Sequence, residues 1–111
     1  MLKRITVVLA EWCPHCVPLS LEKGKEMAKA LGVPLRVLDI DDPEQEKLAD
    51  ELVLEHGDFT EDYLIPQVFA EYDDDVVKHA FTGFSEAVDV TKARWDDLFA
   101  SEFYRSKLVP N

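Results

Sequence analysis

The chain has two cysteines and no third, and the two stand together at Cys13 and Cys16. It is also short of basic residues, with 12 Lys and Arg against 23 Asp and Glu and a formal net charge of −11. That balance argues against nucleic acid and anionic membrane surfaces as partners, because both call for a basic face. Long apolar runs are missing too. The stretch from Ile5 to Ala10 is too short for a membrane span or a signal-peptide core, and no small-residue cleavage site follows Lys3-Arg4. A cytoplasmic protein with no membrane association is therefore expected. Repeats, linkers and low-complexity segments are absent, so the 111 residues read as one domain, residues 1–111, with a single core. A monomer is expected.

What is present centres on Trp12-Cys13-Pro14-His15-Cys16. A C-x-x-C pair between a strand-like and a helix-like run fits dithiol redox chemistry. One thiolate attacks a disulfide in another molecule, and a second thiol a few residues away resolves the mixed disulfide. Two intervening residues on a first helical turn bring both sulfurs within bonding range. The same turn aims N–H groups at the leading sulfur and favours its thiolate. Cys13, at the exposed helix start, is the expected nucleophile and Cys16 the buried resolving thiol. Other uses of the pair are less well served. A structural zinc site wants four ligands, and His15, His56 and His79 have no metal-type spacing. Haem attachment needs a His where Val17 stands. A staple closing so short a loop removes little unfolded-state entropy. A metal or iron–sulfur module that shares these thiolates across a dimer stays open as an alternative.

The periodicity predicts β-α-β-α-β-β-α. Lys3 to Ala10 reads as a central strand buried on both faces. Helix 1 should start at the motif, with Pro14 at its first position, Val17, Leu21, Gly24, Ala28 and Leu31 inward, and Gly32 as its stop. Pro18 should distort the chain near 17–18. Pro34 to Ile40 is the second strand. Asp42, Pro43 and Gln45 form a capping-box pattern for a helix over 43–56, with Leu48, Ala49, Leu52 and Val53 inward and Gly57 ending it. Residues 58–65 read as a loop. Gln67 to Tyr72 and Val76 to Phe81 are strands joined by Asp73-Asp74-Asp75, a solvated hairpin turn rather than a calcium loop. Val90 to about Lys107 is the last helix, with Trp95, Leu98, Phe99 and Phe103 as its core stripe and Asp89 or Thr91 as its cap. The βαβ unit implies a parallel pair, and the acidic turn adds an antiparallel hairpin.

With this order, the chain resembles the thioredoxin superfamily. Ala10-Glu11-Trp12-Cys13-Pro14-His15-Cys16 is similar to the lead-in and redox motif of thioredoxins, and Ile65-Pro66 stands where the family has a cis X-Pro bond beside the active-site sulfurs. The resemblance implies an α/β, thioredoxin-like fold with a central mixed sheet and helices on both faces. It implies a thiol–disulfide oxidoreductase with no bound cofactor. Starting directly at the strand before the motif, the chain resembles glutaredoxins in outline. The alternative is accordingly a glutaredoxin-like enzyme with glutathione as co-substrate. Pro14-His15 resembles the strongly oxidising DsbA type, without room for its inserted helical domain. Val7 stands where thioredoxins have a buried Asp, and Gly83-Phe84-Ser85-Glu86 replaces the Gly-Gly…Asp pattern by which glutaredoxins hold glutathione.

The implied partners are disulfide-bearing protein substrates and a protein reductase or glutathione. Pro14, His15 and Trp12 are expected to modulate the site. His15 stabilises the Cys13 thiolate by charge or a hydrogen bond, or is an inert loop residue. Trp12 forms a lid or an edge of the core. Ile65, Pro66, Gly83 and Phe84 are expected to border a groove for an incoming peptide. His56 and His79 carry no assigned role.

Overall fold

The computed structural model describes residues 2–13, 16–57, 64–83 and 88–101. Among these residues the protein is a small α/β domain: a four-stranded mixed sheet with three helices. Strands β1 (Leu2–Leu9), β2 (Leu35–Asp39), β3 (Gln67–Tyr72) and β4 (Val77–Thr82) lie in the order β2-β1-β3-β4. The helices are α1 (Leu21–Leu31), α2 (Pro43–His56) and α3 (Val88–Ala100). β1 runs parallel to β2, with Ile5 opposite Leu35 and Leu9 opposite Asp39. It runs antiparallel to β3, with Val8 opposite Gln67. β3 and β4 form the antiparallel hairpin.

Paired on both sides, β1 is a central strand, and Ile5 to Leu9 are buried without a break. Such a strand carries no alternation because helices cover both faces. Alternation puts Ile5, Val7 and Leu9 on one face with Leu35, Val37 and Asp39. α1 closes onto this face at Gly24, where a Cβ would sit 3.0 Å from Val7 Cγ2. α3 joins the same layer: the Trp95 indole N–H donates to Ser20 Oγ at 2.9 Å. The opposite face holds Arg4, Thr6, Arg36 and Glu71, and α2 lies over it, with Leu48, Leu52 and His56 lining a small cavity beside these groups.

Local chemistry explains the helix ends. Asp42 caps α2, its carboxylate accepting from the N–H groups of Glu44 (3.0 Å) and Gln45 (3.3 Å), and Pro43 takes the first position. Gln45 does not reach back to the Asp42 N–H as a capping box would. Its Oε1 accepts from the Asp39 N–H at 2.8 Å, since Asp42 N–H is already committed to the Asp39 carbonyl. α1 ends as expected at Gly32, whose φ of 70° is left-handed, with Val33 N–H bonded to the Ala28 carbonyl.

Several expectations need correction. α1 begins at Leu21, not at the motif. The preceding segment, Cys16–Ser20, is an irregular wide turn in which Val17 is extended (φ −126°, ψ 126°). This is the distortion expected of Pro18, which disfavours helix at the residue before it. Leu48 is 45% exposed rather than inward, and Met27, not anticipated, is fully buried. α3 starts at Val88, so Asp89 and Thr91 lie inside it and neither is its cap. Trp95 and Leu98 are buried as expected, and Phe99 packs against the core. Phe103 and the far end of the expected helix lie outside the described residues. Among the described residues no helix is long and apolar enough to cross a membrane.

Candidate functional site

β1 delivers its C-terminal end to a turn that holds both cysteines. Cys13 N–H donates to the Ala10 carbonyl at 3.1 Å. The N–H groups of Cys16 and Val17 both donate to the Cys13 carbonyl, at 3.0 and 3.1 Å. The two thiols are free and buried, Cys13 at 4% exposure and Cys16 at 0%, and both belong to the core cluster. Cys13 is thus not at an exposed helix start: it is buried, and regular helix begins only at Leu21.

The surroundings of Cys16 favour its protonated form. Burial pushes its pKa well above the ordinary thiol range, and a hydrogen bond with the Cys13 side chain and the negative charge of Asp39 add to this. A hydrogen bond to the Ala10 backbone opposes the shift without reversing it. Asp39 reaches this neighbourhood because β1 and β2 are parallel and in register, Leu9 beside Asp39, so their C-terminal ends emerge together. Open α/β sheets present their sites at such strand ends.

The register of β1 and β3 sets Ile65-Pro66 just past the Val8–Gln67 pair, at the same end of the sheet as the motif. Ile65 is buried in the cluster that contains both cysteines. The Ile65–Pro66 peptide bond is cis, as the resemblance implies, and so is Val17–Pro18. Gly83 supports Pro66 from behind. Its N–H donates to the Pro66 carbonyl at 2.7 Å, and its own carbonyl accepts from the Thr91 hydroxyl. A Cβ on Gly83 would stand 2.9 Å from Pro66 Cγ and 3.1 Å from Thr91 Cγ2. Gly83 is buried, so it shapes the backbone near Pro66. Trp12 is 67% exposed, which excludes its being an edge of the core. Pro14, His15 and Phe84 lie outside the described residues. Among the described residues, no three His, Cys, Asp or Glu side chains gather as a metal site.

Two features were not anticipated. The first is a groove of about 690 Å³ beside the motif, with Leu9, Val17, Leu21 and Val37 along it and Glu11, Asp39 and Asp42 at its polar side. The second is an ionic network under α2. Glu71 accepts from Arg4 Nε at 2.8 Å and Nη2 at 3.1 Å, from Arg36 Nη2 at 2.9 Å, and from the Thr6 hydroxyl. Burial alone would raise the Glu71 pKa, but the hydrogen bonds of Arg4 and Thr6 and the charge of Arg36 hold it below the usual carboxylate range. The sequence carries a trace of this network. In β3, Glu71 shares the parity of buried Phe69, and Arg4 and Arg36 fall opposite on the same face.

No family model matches this chain, and no curated protein or solved structure is significantly similar to it.

Proposed function

We propose that this protein is a thiol–disulfide oxidoreductase of thioredoxin-like fold that exchanges two electrons with protein disulfides through Cys13 and Cys16. The observation that carries this reading is the pair of free, buried thiols held in one hydrogen-bonded turn at the C-terminal end of β1. The order of elements and the placement of Ile65-Pro66 at the same sheet end support it.

In the reducing direction, the Cys13 thiolate attacks one sulfur of the substrate disulfide. The substrate S–S bond breaks, a Cys13–substrate disulfide forms, and the other substrate sulfur leaves and takes up a proton. Cys16 then gives its proton to solvent and attacks the Cys13 sulfur. The mixed disulfide breaks, the second substrate thiol departs, and Cys13 and Cys16 are left as a disulfide. Two electrons and two protons have passed to the substrate, and a protein reductase or glutathione returns them. The environment of Cys16 suits this order: buried and with a raised pKa, it stays protonated until the mixed disulfide brings a sulfur against it. No bound cofactor is required. His15 and Trp12 modulate the couple and its access, and the cytoplasm and a monomeric state belong to the same reading.

The test is reduction of a protein disulfide such as insulin, with trapping by the single-cysteine variants. Cys16→Ser should accumulate mixed disulfides with substrate, while Cys13→Ser should trap nothing. No turnover by the wild-type protein would overturn the function. Equal trapping by both variants would overturn the assignment of Cys13 as attacker and Cys16 as resolver.

A further inference from the structure

The groove beside the motif differs in character from the rest of the site. Leu9, Val17, Leu21 and Val37 give it an aliphatic floor, and Glu11 and Asp39 give it carboxylates, with no Lys or Arg lining it among the described residues. It is continuous with the redox turn at both ends of the motif: Glu11 stands two residues before Cys13, and Val17 directly follows Cys16. Val17, Leu21 and Val37 are only partly buried, so the floor still has apolar surface to cover. Among the described residues no cation pairs with Glu11, Asp39 or Asp42. Backbone donors hold two of the carboxylates in place. Asp39 Oδ1 accepts from the Asp41 N–H at 2.9 Å, and Asp42 is fixed as the cap of α2. Fixed, uncompensated negative charge around an apolar trough selects a partner that brings an aliphatic side chain and a cation together.

We infer that this groove docks the segment flanking the reactive cysteine of the substrate protein, and that it prefers segments in which Lys or Arg stands beside an aliphatic residue. The substrate class rests on the disulfide exchange proposed above; the docking preference does not require that chemistry to proceed. A cationic chain here places its ammonium or guanidinium among Glu11 and Asp39, lays its methylene stem on Val17 and Val37, and leaves the neighbouring substrate sulfur facing the turn that holds Cys13. An acidic segment meets unscreened like charge at the same place.

Two synthetic peptides test this, identical except that one carries Leu-Lys and the other Leu-Glu beside a single position. In the first form that position is Ser, and binding to the reduced full-length protein is followed by calorimetry. The Lys peptide should bind at least about tenfold more tightly than the Glu peptide at low salt, with the ratio shrinking as ionic strength rises. In Glu11→Gln/Asp39→Asn the ratio should fall toward one. In Asp73→Asn/Asp74→Asn, which removes the same charge from the β3–β4 turn at the far end of the sheet, the ratio should persist. Equal binding of the two peptides, or equal loss of preference in both double variants, overturns the groove, the second outcome because net charge alone then accounts for the preference. In the second form the position is Cys joined to a chromogenic thiol, and release of that thiol follows exchange. No release from either peptide counts against the oxidoreductase reading alone. Release at equal rates, with equal binding of the Ser peptides, counts against the groove alone.

Discussion

The indole N–H of Trp95 in α3 donates to the hydroxyl of Ser20, 2.9 Å away, and both residues are fully buried. Ser20 is the last residue of the irregular turn that begins at Cys16, immediately before α1 becomes regular. α3 is thereby tied to the segment that carries Cys16. Lys23 adds weaker ties on the same seam, 4.0 Å from Asp96 and 6.0 Å above the Phe99 ring.

Loss of this tie should cost stability without removing either thiol. Ser20→Ala is expected to destabilise by about 1 kcal/mol, because a buried indole donor loses a partner. Trp95→Phe should cost about 2–3 kcal/mol, adding lost ring volume in a close-packed site to the lost bond. Urea titration of both variants measures this. Unchanged midpoints would mean that α3 is held by its apolar face alone.

Glu71→Gln should be more damaging than its place on a strand suggests. The neutral amide leaves Arg4 and Arg36 crowded together without the charge that compensates them, and a loss of about 2–4 kcal/mol is expected. The pH dependence has a definite sign. The Glu71 pKa is lower in the folded state than in the unfolded chain. Its contribution is therefore complete above the ordinary Glu value of about 4.3 and is lost as pH falls through the folded value. Stability of the wild type against that of Glu71→Gln, measured from neutral pH down to acid, should converge at the acid end. A gap that stays constant would remove the carboxylate's charge as the cause.

The sheet and most helix positions were legible because their determinants are local. Asp42-Pro43 specifies the start of α2, Gly32 the end of α1, and the β-branched run of β1, without clean alternation, its central place. The start of α1 was less so. Pro14 and Pro18 pull in opposite directions, one favouring a first turn and the other forbidding helix at Val17, and only the fold decides between them. The cysteines were legible from spacing, their shared burial was not. The groove and the Glu71 network depend on register: Leu9 meets Asp39, and Arg4 meets Glu71, only once the strands are paired. No single stretch of sequence states that pairing.

Gly83→Ala tests whether the backbone behind Pro66 matters to the site. The added methyl would enter at 2.9 Å from Pro66 Cγ and 3.1 Å from Thr91 Cγ2, so strand end or helix must shift. Overpacking of this kind costs about 1–3 kcal/mol. If Pro66 borders the path of the incoming peptide, reduction of protein disulfides should fall by more than reduction of a small aliphatic disulfide in the same variant. An equal fall in both would make Gly83 a matter of stability only.

The raised pKa of Cys16 gives two linked expectations for the reduced protein. Burial is its largest cause, so it should survive in Cys13→Ser, where Cys16 is the only thiol left. Alkylation of that thiol by iodoacetamide near pH 8 should be at least about tenfold slower in the folded variant than in denaturant, because the thiolate is the reacting species and the fold suppresses it. The same shift acts on stability. A thiol whose folded pKa lies above its unfolded value stabilises fully below the ordinary thiol value of about 8.5, and that contribution is lost as pH rises toward the folded value. Reduced Cys13→Ser should therefore lose stability between about pH 8.5 and 10, and Cys13→Ser/Cys16→Ala, which carries the same tyrosines and lysines, should lose less over the same range. Denaturant midpoints at three or four pH values decide it. Parallel curves for the two variants, with alkylation as fast in the folded protein as in denaturant, would show that Cys16 ionises freely. The proposed division of labour between an attacking Cys13 and a protonated, resolving Cys16 would then lose its electrostatic basis.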